Sequence, residues 1–448
     1  MGFGSTIRFC AAVLGAWLLH LTLGTYYCWG NITPYVTSYL RWHGQKVDFH
    51  STSQVFSFGG FMMGVGMYVG GQLQKILGIR GAALCGGWLL SLGVCLTSIS
   101  VRYGSIPVVM TYGLMLGTGI SLAYTAPVVC LLTWMPDRKG LASGLVVVAF
   151  GSGATVFDII QEEWVNPYNM EPRKPGVGGM YYDWNDQAVV DGVLSRVPSM
   201  FLLLAPIYLV LQTVGAALLF QPYGVAGMAS TDLKAGLNEK PEIQKHITWI
   251  SRDRQFTALE MIRTRQFWCL TIAFMCNTAG VFFAFSRGKT LGNKLLDGIS
   301  DEILTRIISF TSIANGAGRI FWGLICDYTS FRIAMVSLCT LQACMLLVLP
   351  FCRTVWSFSI AFSSICLCCG GNFSLFPAGC ATLFGGQNMA SNYGIVYLGQ
   401  SIGMVASSSL LLFIPESAES AVIASSVALG GLSAFLVGPP SALHGDSK

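Results

Sequence analysis

Arg319 is the residue with the most chemistry to do. It sits inside an apolar run, about 303–326, eight residues before Asp327. At ~1.5 Å of helix rise per residue it lies ~12 Å from that helix end. Half of a ~30 Å hydrocarbon core is ~15 Å, so the guanidinium is expected near the midplane. An arginine there costs at least roughly 2.5–3.5 kcal/mol to insert, so it should face a cavity. The alternative, snorkelling to the headgroups, would stretch the side chain past its comfortable reach. Ser312, Asn315 and Arg319 recur at helical spacing as one polar stripe, with Ile313, Ala317, Ile320 and Leu324 on the opposite, apolar face. The planar fork of a guanidinium matches a carboxylate.

Further polar groups fall inside apolar runs. Tyr393, Tyr397, Gln400 and Ser407 recur at helical spacing in one, and His20, Gly24, Tyr27 and Asn31 share a face in another at spacings of 4, 3 and 4. His20 titrates near neutral pH and is a candidate for proton coupling, against the plainer reading of a packed histidine. Asp158 is a second candidate, against a place at the membrane interface with Glu162 and Glu163. Tyr26, Tyr27, Trp29, Tyr124, Phe373 and Phe376 could wall a cavity for a small organic anion, or could be ordinary packing.

The elements that position these groups are membrane helices. Of 448 residues, 53% are hydrophobic and only 10% charged, with mean hydropathy +0.60. Soluble chains carry about 25% charge, so a water-soluble enzyme or a disordered protein is a poor fit. The net charge of +5 is too small for nucleic-acid binding. Fifteen cysteines, many inside apolar runs such as Cys366, Cys368 and Cys369, read as small hydrophobes. Runs of about 20 apolar residues predict twelve spans: about 9–38, 53–74, 82–101, 106–134, 141–163 and 198–221, then about 267–286, 303–326, 332–352, 355–384, 391–414 and 419–438. The expected organisation is an N-terminal six-helix half (1–221), a cytosolic linker (222–265) and a C-terminal half with a short tail (266–448). Seven basic residues between Lys234 and Arg265 favour a cytosolic linker. Its part from Ile247 to Arg265 reads either as a helix along the membrane surface or as a solvated tether. The loop 164–197 reads either as a folded external lid or as disorder. Clusters such as Gly64-Val65-Gly66 and Gly151-Ser152-Gly153 allow helices to pack closely and rock.

The halves repeat. Ala126-Pro127 through Gly144 overlays Phe376-Pro377 through Gly394 at an offset of 250, and Gly71 through Lys75 with Arg80 overlays Gly323 through Asp327 with Arg332 at an offset of 252. Parallel repeats of this kind bind substrate between halves near the midplane. The Gly-x-x-x-Asp followed by a basic residue, Gly323, Asp327 and Arg332, resembles the gating signature of the major facilitator superfamily; the first half departs from it, with Lys75 where the family carries aspartate. Four passages resemble its oxalate–formate antiporter and monocarboxylate transporter branch: Gly24-Thr25-Tyr26-Tyr27-Cys28-Trp29-Gly30, Gly70-Gly71-Gln72-Leu73-Gln74, Trp134 through Gly144, and Asn392-Tyr393-Gly394.

The resemblance implies an all-α membrane protein whose twelve transmembrane helices form two pseudo-symmetric six-helix bundles, the major facilitator fold. It implies a transporter that works by alternating access, with Tyr124 facing the cavity. In the antiporters a lysine stands where this chain has Gln400, pairing with the arginine to hold a dianion. One fixed cation suits a monoanion, so pyruvate, lactate or formate is expected over oxalate. Proton-coupled relatives carry a lysine near Asn31 and an aspartate at Asn315, and both are missing. The expected substrate residues are Arg319, Gln400, Tyr27, Asn31, Tyr124, Asn315, Tyr397 and Phe373. Alternatives are a carrier of oxalate, an amino acid or a sugar, or a transport-inactive sensor. No Walker loop, paired CxxC or HExxH is present, so no enzyme activity, cofactor or metal is expected. The expected partners are the organic anion and the lipid bilayer, with no nucleic acid; the chain is expected to act as a monomer. The plasma membrane is favoured, an organelle membrane being the alternative.

Overall fold

The computed structural model describes residues 3–176, 179–222, 255–296, 299 and 301–438. Helix α1 (Phe3–Leu23), a 3₁₀ segment (Gly24–Cys28) and α2 (Trp29–Trp42) form the first span. Helix α3 (Phe49–Ser100) contains the second and third. It breaks at Gly78, whose φ of 73° is a backbone state that only glycine adopts freely. The fourth span runs through α4 (Ser105–Val108), a π-helical segment (Val109–Met115) and α5 (Leu116–Trp134). Helix α6 (Lys139–Val165) is the fifth. After β1 (Lys174–Gly176), β2 (Gly179–Tyr181) and α7 (Gln187–Gly192), α8 (Val197–Leu218) is the sixth. The short α9 (Ala258–Ile262) precedes α10 (Arg265–Leu295), α11 (Asp301–Tyr328), α12 (Phe331–Val348), α13 (Val355–Phe384), α14 (Met389–Phe413) and α15 (Glu416–Leu436).

Among the described residues, 10 helical stretches are long and apolar enough to cross a membrane. One of them, Ser51–Ser100, holds two spans on either side of Gly78. Helix α11 is long enough at 28 residues but carries Arg319 and Asp327. With these counted, the twelve expected spans are present. Their starts follow from side-chain acceptors that satisfy otherwise unbonded first-turn N–H groups. Asp48 accepts from Ser51 N at 2.8 Å, Thr264 from Phe267 N at 3.2 Å, and Ser330 from Ile333 N at 3.2 Å.

The chain packs as two compact units. One is Leu14–Pro127 with Ser152–Leu219; the other is Met1–Val13, Val128–Gly151 and Phe220–Lys448. In the latter, glycines bring backbones together: a Cβ on Gly140 would strike the Gly323 carbonyl, and one on Gly370 the Asn315 carbonyl. Trp134 Nε1 donates to Phe220 O at 2.7 Å, joining the end of α5 to the chain after α8.

The loop 164–197 is folded. Strands β1 and β2 pair antiparallel, with Lys174 opposite Tyr181. Tyr182 stacks on Tyr35 (4.9 Å between centroids), and the Arg41 guanidinium lies 4.7 Å from the Tyr181 ring. Burial pushes the Tyr182 hydroxyl up to about 12. The Asn185 N–H and the Lys174 ammonium, 3.2 Å away, hold the Asp183 carboxyl below its ordinary range. These aromatic and ionic contacts supply what a Pro- and Gly-rich segment lacks in helix propensity.

Residues 223–254, most of the linker, lie outside the described residues. Of the stretch Ile247–Arg265, residues 247–254 lie outside the described residues, and Phe256 is bonded to protein. Phe256 N donates to Phe384 O at 3.1 Å, and the Phe256 carbonyl accepts from Asn388 and Asn392 Nδ2, each at 2.9 Å.

Candidate functional site

Arg319 lies on α11 between α13 and α6, where its neighbours on both sides are glycines. A Cβ on Gly151 would stand 2.9 Å from the guanidinium carbon, and one on Gly370 would stand 3.3 Å from Arg319 Cγ. The large side chain fits because its neighbours have none. Arg319 is 1% exposed, inside protein and not facing lipid. Its Nε and Nη2 donate to Asn315 Oδ1 at 3.3 and 3.1 Å, and Nη1 donates to the Val147 carbonyl of α6. Asn315 Nδ2 donates to Cys366 O at 3.2 Å, which turns its Oδ1 toward the arginine. The Phe373 ring centroid is 5.1 Å from the guanidinium carbon, within cation–π range. Arg319, Asn315 and Phe373 are thus brought together. The acceptors named are neutral, so they aim the fork without cancelling its charge. Ser312, in the same sequence stripe, is exposed.

Two turns on, Asp327 ends the same helix. Its Oδ1 and Oδ2 accept from Gly140 N and Leu141 N, both at 2.7 Å, at the start of α6. A carboxylate at a helix N-terminus meets unsatisfied N–H groups and the positive end of the dipole. Gly323, one turn earlier, touches Gly140 backbone to backbone. Gly323 and Asp327 therefore join α11 to the start of α6. Arg332 lies 3.7 Å from the Phe435 ring centroid. A cleft of about 760 Å³ opens beside this latch and carries both charge signs, Asp137 and Asp327 with Lys139 and Arg332.

On α14, Tyr397 is 2% exposed and built into an aromatic group. It meets Phe274 edge-on at 5.6 Å and Tyr393 at 5.8 Å, and Phe274 stacks on Phe376 at 3.9 Å. Gln400 is half-buried, and its Oε1 is buried with no hydrogen-bond donor.

The other unit holds the remaining candidates. His20 (0% exposed) packs against Tyr124 (1% exposed), ring centroids 5.0 Å apart. Tyr27 is half-buried beside Tyr26, at 5.6 Å. The expectation that His20, Gly24, Tyr27 and Asn31 share one face is corrected. Residues Gly24–Cys28 are 3₁₀, not α. Five residues wound at three per turn instead of 3.6 add about 100° of rotation. His20 is accordingly buried, whereas Asn31 is exposed and stands next to Asp158. Asp158 is half-buried on α6 and also adjoins Cys28.

Sequence reasoning missed Val147, because a backbone acceptor leaves no mark in residue type. It also missed Thr25, Tyr208, Tyr112 and Gln161, which surround Cys28. Gln161 was discoverable as an uncharged polar residue one turn after Asp158.

Comparison with known proteins follows the same lines. The Major Facilitator Superfamily model matches residues 18–408. Over 455 aligned residues the chain is 30% identical to Apicoplast pyruvate carrier 1 of Toxoplasma gondii, covering 87% of this chain and 83% of that one. It is 23% identical to the Oxalate:formate antiporter of Oxalobacter formigenes, covering 67% and 61%. Among solved structures it resembles FucP, a Major Facilitator Superfamily transporter in the outward conformation. The TM-score is 0.67 at 13% identity, covering 96% of this chain and 99% of that one, a likeness of fold.

Proposed function

Because this chain belongs to the major facilitator superfamily, we propose that it carries a small monocarboxylate, such as pyruvate, lactate or formate, across a membrane by alternating access. It is a multi-pass membrane transporter, not an enzyme, and its twelve transmembrane helices take the major facilitator fold of two six-helix bundles. We assign the bundles to 1–221 and 266–448.

The observation that carries the substrate class is Arg319, a guanidinium inside the membrane whose fork is aimed by the neutral oxygens of Asn315 and Val147. A relative named as a pyruvate carrier and one named as an oxalate:formate antiporter support an acid as cargo. Neutral Gln400 favours one negative charge over two. In the conformation described, Arg319 is enclosed, so binding exchanges the Val147 carbonyl for a substrate carboxylate. That exchange requires α6 to part from α11, the contact that Asp327 fastens. Arg319, Asn315, Phe373, Tyr397, Gln400, Tyr27, Asn31 and Tyr124 are the residues we assign to the substrate path. His20 and Asp158 are the candidates for coupling to protons, and Gly323, Asp327 and Arg332 form the gate. The protein acts as a monomer, without nucleic acid. We place it in the plasma membrane; the apicoplast relative favours an organelle membrane as the second reading.

Reconstituted protein with radiolabelled pyruvate tests this reading. Arg319→Gln is expected to abolish uptake while the chain still inserts and elutes as folded protein. Unchanged uptake overturns the role of Arg319.

A further inference from the structure

A second polar cluster, distinct from Arg319, is confined to the unit made of Leu14–Pro127 and Ser152–Leu219. It forms where two spans leave α-helical geometry, at the 3₁₀ segment Gly24–Cys28 and the π segment Val109–Met115. Such departures in mid-span recur at functional hinges. Thr25 Oγ1 and Tyr208 OH share a hydrogen bond of 2.6 Å, and Cys28 Sγ donates to Ala154 O at 3.9 Å. Cys28 adjoins both Asp158 and Gln161, and Tyr208 adjoins Gln161 and Tyr112. Gln161 is 1% exposed and Tyr112 2% exposed.

Four buried polar atoms of this cluster, Asp158 Oδ1, Tyr112 OH and both Oε1 and Nε2 of Gln161, make no well-formed hydrogen bond, although Cys28 and Asn31 adjoin Asp158, Thr25 adjoins Tyr112, and Cys28 and Tyr208 adjoin Gln161. Buried polar groups are nearly always satisfied, and hydrocarbon offers nothing to satisfy them. Several such atoms on neighbouring side chains, around one carboxyl, are the setting that internal water or a small cation occupies. An ionisable side chain within a span is itself costly to keep and marks an ion pathway.

We propose that Asp158 is the site that loads and releases the coupling proton, with Gln161 and Tyr112 holding the water that exchanges it. This rests on the carboxylate-carrier reading above. The step is a simple proton transfer: a hydronium ion gives its proton to the Asp158 carboxylate, an O–H bond forms and a water molecule is left; release reverses it. Both states are served by the same walls. The Gln161 amide can donate to the carboxylate or accept from the acid, and the Tyr112 phenol can do either. The titratable groups around Asp158 are Cys28 from the first span, Tyr112 from the π segment and Glu162 on its own helix; Tyr208 from α8 adjoins Tyr112 and Cys28 in turn. Glu162 is already engaged, accepting from Tyr35 OH at 2.7 Å. One proton with one monocarboxylate is an electroneutral load, so the membrane voltage does not oppose it.

The test uses full-length protein in liposomes, with radiolabelled pyruvate as probe and protein-free liposomes subtracted. For one-to-one coupling, a gradient of one pH unit, acid outside, should drive about tenfold accumulation in the wild type, abolished by a protonophore. Asp158→Asn should lose this accumulation yet keep pyruvate–pyruvate exchange at equal pH. Asp158→Asn that still follows the pH gradient overturns the assignment, as does wild-type accumulation that follows a sodium gradient instead. If Asp158→Asn fails to fold, Gln161→Leu takes its place: weakened accumulation with exchange retained supports the site, and an undiminished pH response overturns it. Wild-type protein that neither accumulates nor exchanges pyruvate overturns the carrier reading itself, a result separable from the others.

Discussion

Replacing Asp327 with asparagine removes one charge from the latch and little else. The carboxylate accepts two short bonds, from Gly140 N and Leu141 N, each 2.7 Å. Asparagine offers a single acceptor oxygen, and its NH₂ would face a backbone N–H that also donates. One charge-assisted bond is worth about 1.5–3 kcal/mol, and the favourable helix-dipole interaction of a carboxylate adds about 0.3–1 kcal/mol. The contact should therefore weaken by roughly 2–4 kcal/mol, or about 30- to 900-fold in the equilibrium between fastened and parted states. Hydrogen exchange reads this directly, because the two donors are backbone amides. The amides of Gly140 and Leu141 should exchange faster in Asp327→Asn by a factor in that range, while amides in the middle of α13 are unchanged. Gly140→Ala should reproduce the effect without touching charge, since its Cβ would collide with the Gly323 carbonyl. Exchange at Gly140 and Leu141 equal to wild type in Asp327→Asn would refute the idea that this carboxylate fastens α6 to α11.

Two further predictions concern the substrate. Asn315→Leu removes the acceptor that receives Arg319 Nε and Nη2, so the guanidinium keeps its charge and loses its aim; the apparent KM for pyruvate should rise about 10- to 100-fold, from the loss of roughly 1.5–3 kcal/mol of orienting hydrogen bonds, with folded protein still recovered. An unchanged KM would show that Asn315 does not orient the site. Gln400→Lys adds a second cation where a buried Oε1 now lacks a donor, and should raise oxalate uptake relative to pyruvate in a competition assay; an unaltered preference would remove Gln400 from the specificity argument.

Much of this was legible in the residues themselves. Apolar runs give the spans because the bilayer imposes a length that composition reveals directly. The stripe of Arg319 with Asn315 follows from helical periodicity; both residues are buried and bonded to each other. The first span shows where such counting fails. His20 and Asn31 sit at α-helical spacing, yet the 3₁₀ turn between them rotates one away from the other. The loop 164–197 left two readings open, and the ring of Tyr182 on Tyr35 decides for the folded one.

The chain of amino acids by itself determined that this is a polytopic membrane protein and which helix bears the buried cation, since hydropathy and period are properties of local sequence. Only the tertiary structure decided what that cation touches. The Val147 carbonyl, the Gly140 and Leu141 amides and the polar cluster around Asp158 are contacts between segments far apart in the chain. Several are made by backbone atoms that every residue carries, so no residue pattern could announce them.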